Sequence, residues 1–215
     1  MRIPLKYAIL RQRIVLTKAQ KRIPETLKGK RKMKTLIING SPRVNGDTES
    51  LLHLVTENIL GEYRTVNAYR CDISPCVDCR YCRENRGCAI QDEMQEIYGY
   101  IQECDNILIA SPIYFSELTG KLLDVASRLQ TYYSARHYRK ENCITKPKNG
   151  AVILVGGGDG RISKPYETAC TLLHHMNCYD IHEVVFSHHT DEKPAIKDGQ
   201  ARNGVESILR FFNGI

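Results

Sequence analysis

The sequence predicts a parallel, doubly wound α/β sheet of five strands with helices on both faces. Two observations carry this. From Thr35 onward, short continuous apolar runs alternate with amphipathic stretches, five of each, the order that builds a parallel sheet. The chain of 215 residues, 42% of them hydrophobic, is also long enough to bury a core as one domain. No apolar run approaches the roughly 20 residues of a membrane span.

TLIING, residues 35–40, is an apolar run closed by Gly40 and reads as a buried strand. TESLLHLVTENIL then places Leu51, Leu52, Val55 and Ile59 on one helical stripe, with Asp47 or Thr48 as N-cap. YRTVNAYR, 63–70, is a second, more exposed strand leading into a cysteine-rich loop at 71–91. DEMQEIYGYIQEC, 92–104, is an acid-capped helix, and NILIAS, 106–111, a third buried strand. TGKLLDVASRLQTYY, 119–133, reads as one amphipathic helix. GAVILVGGG, 150–158, is the fourth strand, and KPYETACTLLHHM, 164–176, a helix with Pro165 in its first turn. DIHEVVFS, 180–187, is the fifth strand, and GQARNGVESILRFF, 199–212, the closing helix.

The formal charge of +7 is unevenly spread. Residues 1 to 34 hold 12 of the 31 lysines and arginines and one of the 24 acidic residues, so the rest of the chain carries −4. A nucleic-acid-binding domain spreads positive charge over a folded face, which argues against that class here. Residues 1–32 read as a basic N-terminal extension with no secretory logic, because Arg11 cuts off its apolar stretch. Three readings of it stand: a mis-assigned start with Met33 as the true one, a disordered arm, or an anchor. Residues 33–215 form the domain, expected to be cytoplasmic and free of the membrane.

In doubly wound sheets ligands bind beyond the carboxyl ends of the strands, where strand order reverses. The loop after strand one, NGSPRVNGDTESLL, brings Gly40, Ser41, Gly46, Thr48 and Ser50 to a helix N-terminus with Arg43 among them. Helix N-termini bind anions through free N–H groups and the dipole. The stretch lacks both G-x-G-x-x-G and a Walker G-K-[ST], so a monophosphate is its natural guest. The loop after strand three, SPIYFSELTG, offers a flat apolar surface of Ile113, Tyr114 and Phe115 behind Pro112. The loop after strand four, VGGGDGR, lets backbone come close to a ligand at Gly156, Gly157 and Gly158. Phosphate pocket, aromatic wall and backbone edge together fit a flavin mononucleotide.

With GSPRVNGDT, PCVDCRYC leading into QDEM, ASPIYF before GKLLD, and the glycine-rich end of strand four, the chain resembles the flavodoxin-like NAD(P)H-dependent FMN reductases. More narrowly, it resembles the iron–sulfur flavoproteins of anaerobic prokaryotes. The resemblance spans about residues 33 to 215 and implies an FMN-dependent oxidoreductase that exchanges electrons with a 4Fe–4S cluster. It implies that Ser41, Arg43, Asp47, Thr48, Glu49 and Ser50 surround the FMN phosphate and ribityl chain. Pro112, Ile113, Tyr114 and Phe115 would lie along the ring system, with Gly156 to Gly158 at its edge. Two positions depart from the family pattern. Asp47 stands where Asn is common, and unless it turns away it repels a phosphate. Ser127-Arg128 stands where Asp-Arg is usual, which leaves Arg128 without an assigned role.

Four of the nine cysteines fall in PCVDCRYCRENRGC, spaced C-x2-C-x2-C-x5-C. Nothing signals export, so disulfides are disfavoured. Zinc sites separate two C-x2-C knuckles more widely, whereas steps of three resemble the bacterial ferredoxin run. Spacing alone leaves a cluster, metal-free thiols and zinc open. The resemblance implies Cys76, Cys79, Cys82 and Cys88 as ligands of a 4Fe–4S cluster. Cys71, Cys104, Cys143, Cys170 and Cys178 read as small buried hydrophobes. The adjacent pairs His174-His175 and His188-His189 are not expected to make a metal face alone.

Two other functions stay open: an NAD(P)H-dependent FMN or quinone reductase without a cluster, and a non-enzymatic electron carrier or redox sensor. The resemblance also implies a homo-oligomer, at least a dimer, with Tyr81 and TYYSARHY (131–138) as contact surface. The expected partners include ferredoxin or another redox protein, with NAD(P)H as electron donor. A loop of about twenty residues in a compact domain is normally either functional or disordered, and packing it against a neighbouring subunit would order it and shield the cluster.

Overall fold

The computed structural model describes residues 32–215. The proposed N-terminal extension therefore lies, apart from Lys32, outside the described residues. Strands β1 (Lys34–Asn39), β2 (Glu62–Asn67), β3 (Asn106–Pro112) and β4 (Lys148–Val155) run parallel in the order β2-β1-β3-β4. Two short strands, β5 (Cys178–Ile181) and β6 (Val185–Ser187), both pair parallel with β4, one with its start and one with its end. They share the fifth position of the sheet. Strand order reverses between β1 and β3, so the loops after these strands flank the switch point.

The interior strands are apolar on both faces, as a parallel sheet covered by helices requires. Ile37 of β1 and Ala151, Ile153 and Val155 of β4 pack under helices α1 (Asp47–Asn58) and α7 (Gly199–Asn213). Leu36 and Ile38, and Val152 and Leu154, face the opposite core, under α3 (Met94–Glu103), α4 (Gly120–Ser127) and α6 (Ser163–His175). Successive side chains of a strand point to opposite faces, and this alternation splits one sheet into two cores. β2 is the edge strand and its side chains are mostly half-buried, matching its more exposed pattern. Gly40 sits where β1 leaves the sheet. A Cβ there would meet Leu122 Cδ1, Thr119 Oγ1 and Ser111 Oγ at 2.8, 2.8 and 2.9 Å, so only glycine fits.

Three elements differ from the sequence reading. The stretch 119–133 is two helices, α4 and α5 (Gln130–His137). At the break, Arg128 and Leu129 donate to carbonyls three residues back, a tighter winding than an α-helix. The fifth strand begins earlier than expected and breaks at 182–184. There the His182 amide still donates to the Gly150 carbonyl of β4 at 2.9 Å, while its ring nitrogens contact the Glu183 carbonyl at 2.7 Å and Ser207 Oγ at 2.8 Å. The N-cap of α1 is Gly46, with no side-chain cap, rather than Asp47 or Thr48. The Asp47 carboxylate instead accepts from the Ala195 amide at 2.9 Å.

Candidate functional site

At the switch point, the loop from Gly40 to Gly46 climbs from β1 into α1. The Asn39 carbonyl-amide oxygen accepts from the Ser41 amide at 2.8 Å, and Ser41 Oγ donates to the Arg43 carbonyl at 3.1 Å. These bonds fix a tight loop before a helix end whose first N–H groups receive no side-chain cap, the arrangement that binds an anion. Ser41 and Thr48 are buried, and Ser50 Oγ donates to the Asp47 carbonyl at 2.7 Å. Both first-turn carboxylates have partners. Asp47 is turned to Ala195, with Arg43 at 3.8 Å from its other oxygen. Glu49 accepts from Asn39 Nδ2 at 2.8 Å and faces Arg70 at 3.6 Å, tying the ends of β1 and β2 together. One oxygen of Asp47 is thus turned to a distant amide while the other faces Arg43 of the loop.

Across the switch point, Ile113 donates to the Val155 carbonyl at 2.8 Å, binding the loop after β3 to the end of β4. Tyr114 and Glu117 exchange two backbone bonds of 3.0 Å around Phe115 and Ser116, whose φ angles are +52° and +58°. Positive φ at both central residues is the mirror-image turn that glycine or asparagine usually fills. Here it carries a phenylalanine that is fully exposed, beside a half-exposed Tyr114. Strained backbone that holds an aromatic ring in water is the kind of outlier that marks a ligand surface. Gly156 accepts from the Thr190 amide at 3.1 Å, and a Cβ on Gly157 would meet the Asp191 carboxylate at 2.4 Å, so this edge is backbone. All three predicted flavin loops sit at the carboxyl ends of β1, β3 and β4.

The second site lies in the loop between β2 and α3. Cys76, Cys79, Cys82 and Cys88 line one pocket with an empty volume of about 440 Å³, counting its open mouth. Asp78 and Arg80 adopt left-handed φ angles of 47° and 62°, and Arg80 precedes the one-turn helix α2 (Tyr81–Glu84). Such angles are costly for residues other than glycine. They wind the chain so that the closely spaced cysteines share one space. Among the described residues no three of these sulfurs come within 4.8 Å of one another. A tetrahedral zinc at about 2.3 Å from each sulfur would hold them roughly 3.8 Å apart. Four thiol donors around one space are a donor set that iron–sulfur clusters and zinc both use.

The loop has several contacts within its own chain. Cys76 donates its amide to Ser127 Oγ at 2.9 Å, Thr131 Oγ1 donates to the Gly87 carbonyl at 2.9 Å, and Cys82 Sγ lies 3.3 Å from Ser134 Oγ. Arg139 donates to the Cys82 carbonyl, and Arg83 stacks 4.6 Å from the centre of the Tyr138 ring. Beneath them Arg128, fully buried, pairs with Asp92 at 2.6 Å and donates to the Ser74 and Ile90 carbonyls at 2.9 and 3.1 Å. These wall residues were not found from sequence. Their only trace there is the run QDEM and one arginine on an otherwise apolar helix stripe.

Burial pushes the Asp92 carboxyl up, but the Arg128 hydrogen bond and the Ser74 and Met94 amides outweigh it, so its pKa lies below the ordinary value. A depressed carboxyl adds stability above its unfolded pKa, and that stability is lost as pH falls through the folded one. Asp92→Asn is therefore expected to flatten the acid limb of a stability–pH curve measured by urea denaturation. An unchanged acid limb would remove Asp92 from the account.

Residues 33–193 match the family described as NADPH-dependent FMN reductase. The chain belongs to that family. Among similar proteins, an iron-sulfur flavoprotein from Methanosarcina thermophila is 31% identical over 128 residues, 58% of this chain and 64% of the relative. One from Methanocaldococcus jannaschii is 34% identical over 95 residues, 42% of this chain and 48% of the relative. The matches thus span less than two thirds of these relatives' own lengths. The solved NAD(P)H:quinone oxidoreductase from Methanothermobacter marburgensis shares the fold, with a TM-score of 0.63 at 16% identity, covering 86% of this chain and 96% of that one.

Of the remaining cysteines of this FMN reductase family member, two are core thiols, whereas Cys71, Cys143 and Cys170 are half-buried rather than buried as expected. Cys104 and Cys178 are fully buried, and burial pushes Cys104 up to about 12 and Cys178 higher still. Half-buried Cys71 is pushed up to about 11 for the same reason. One of the two histidine pairs has an acidic neighbour. A φ of 53° at His189 turns its ring beside that of His188, so their donor atoms and one from Asp159 lie within 4.8 Å of one another. His189 Nε2 lies 2.6 Å from the Asp159 carboxylate, a contact that joins the loop after β6 to the glycine-rich loop. Among the described residues no helix is long and apolar enough to cross a membrane.

Proposed function

We propose that the chain is a flavin-dependent oxidoreductase, an iron–sulfur flavoprotein that passes electrons between FMN and a 4Fe–4S cluster. The observation that carries this is the convergence of Cys76, Cys79, Cys82 and Cys88 on one pocket in a domain whose switch-point loops suit FMN. The names of its relatives support the same reading. When bound, FMN supplies hydride and single-electron chemistry and the cluster supplies single-electron chemistry.

The chain's own residues have definite tasks. The α1 N-terminus and Arg43 bind the phosphate, with Ser41, Thr48 and Ser50 around it. Asp47 and Glu49 hold the frame of that loop. Pro112, Ile113, Tyr114 and Phe115 cover the ring system and exclude water from it, while Gly156, Gly157 and Gly158 approach its edge with backbone alone. Ser127, Thr131, Ser134 and Arg139 hold the cysteines in place. NAD(P)H is the proposed donor, a ferredoxin-like redox protein a proposed partner, and the cytoplasm the proposed compartment. A homo-oligomer is proposed through the exposed rings of Tyr81, Tyr133 and Tyr138, and a monomer in light scattering at micromolar concentration would end that part.

Arg43→Ala is expected to weaken FMN binding by roughly 1.5–3 kcal/mol, the range for a charge-assisted hydrogen bond. Fluorescence titration of flavin measures it, and unchanged affinity would sink the phosphate-loop assignment. Asp47→Asn keeps an oxygen for the Ala195 amide, so the same titration should show equal or tighter binding; a marked loss would contradict the role given to Asp47. The function itself is tested by anaerobic reductive titration. A chain with both cofactors takes up about three electrons, two on the flavin and one on the cluster. Uptake of two describes a reductase without a cluster.

A further inference from the structure

Arg128 is among the largest fully buried side chains, and the proposed function gives its guanidinium no part beyond holding the loop. The holding role accounts for its two terminal nitrogens, which serve Asp92, Ser74 and Ile90. It does not account for Nε. That N–H is buried without a hydrogen-bond partner, a state that native structures keep only for a reason. Arg128 also lines the pocket shared by the four cysteines, and the buried Tyr98 hydroxyl and then Cys88 lie near enough to interact with it electrostatically. Arg64 Nε, the other such nitrogen among the described side chains, sits on the edge strand β2, away from that pocket.

We propose that Arg128 is a positioning residue for electron transfer: its Nε–H donates to a sulfur of the cluster held by Cys76, Cys79, Cys82 and Cys88, and so raises the cluster's reduction potential. This rests on the cluster reading above. Reduction adds one electron to the cluster and breaks no bond, so negative charge on the sulfurs grows. A donor aimed at one of them gains strength in the reduced state. The paired Asp92 carboxylate offsets the arginine's charge at longer range, so the directional N–H bond carries the effect. Burial keeps water from competing for the same sulfur.

The test is an EPR-monitored titration of anaerobically purified full-length protein, with electrons from a mediated electrode and iron and sulfide assayed first. Arg128→Lys keeps the charge and the partner of Asp92 but removes the Nε–H. With cluster content unchanged, its potential is expected to fall, and a tenfold weakening of the reduced state corresponds to about 59 mV for one electron. An equal or higher potential overturns the inference while leaving the cluster reading intact. Absence of a cluster in the unsubstituted protein overturns the cluster reading and this inference with it. Should Arg128→Lys fail to hold a cluster, unsubstituted protein carrying 15N-arginine decides. A nitrogen hyperfine coupling on the reduced cluster is expected, and its absence overturns the proposal.

Discussion

Arg128→Leu is expected to destabilise the domain by about 3–5 kcal/mol, the cost of breaking a buried ion pair by removing one partner. The two side chains are 0% and 9% exposed at a separation of 2.6 Å. The leucine would leave the Asp92 carboxylate and the Ser74 and Ile90 carbonyls without the donor they share, and the cysteine loop would lose its floor. Arg64→Leu supplies the contrast. Its pair with Glu96 is just as short, at 2.7 Å, but Glu96 is 70% exposed, and exposed pairs contribute at most about 1 kcal/mol. Urea denaturation of both variants separates buried pairing from surface pairing. If Arg128→Leu costs no more than Arg64→Leu, the cysteine loop is held by something else.

The second large effect concerns the cluster. Cys79→Ala is expected to abolish iron binding while FMN remains, because the flavin loops and the cysteine loop are separate segments of one domain. Cys79 is exposed and sits between the two left-handed residues Asp78 and Arg80, so its loss should cost the fold little. Cys104→Ala, in the core, should leave iron content unchanged. Iron and flavin assays on the two variants distinguish ligands from packing thiols. Iron retained in Cys79→Ala would remove that residue from the ligand set.

The sheet was legible because its strands are buried on both faces. Runs such as TLIING and NILIAS therefore contain no polar alternation to confuse with a helix. The candidate ligands were legible for the opposite reason: glycine, proline and cysteine at short spacing constrain the chain locally. What the sequence hid was tertiary. The periodicity of TGKLLDVASRLQTYY continues smoothly through residue 128, where α4 ends and the buried Arg128 pairs with Asp92, far away in the chain. Ser127 illustrates the same point. It departs from the family's usual aspartate, yet its hydroxyl oxygen takes the Cys76 amide that a carboxylate could also accept. Asp47 is read as an N-cap by local rules, but a long-range amide at Ala195 claims its carboxylate. Beside the break in the fifth strand, His182 Nε2 lies 2.8 Å from Ser207 Oγ in the last helix, a contact local rules do not show.

The most direct measurement is the content of iron, acid-labile sulfide and flavin in protein purified without oxygen. About four irons and four sulfides per chain, the make-up of a cuboidal cluster, together with one FMN, is the result expected. Flavin with no iron, or with a single zinc on the cysteines, would contradict the proposal that this domain links a flavin to a cluster.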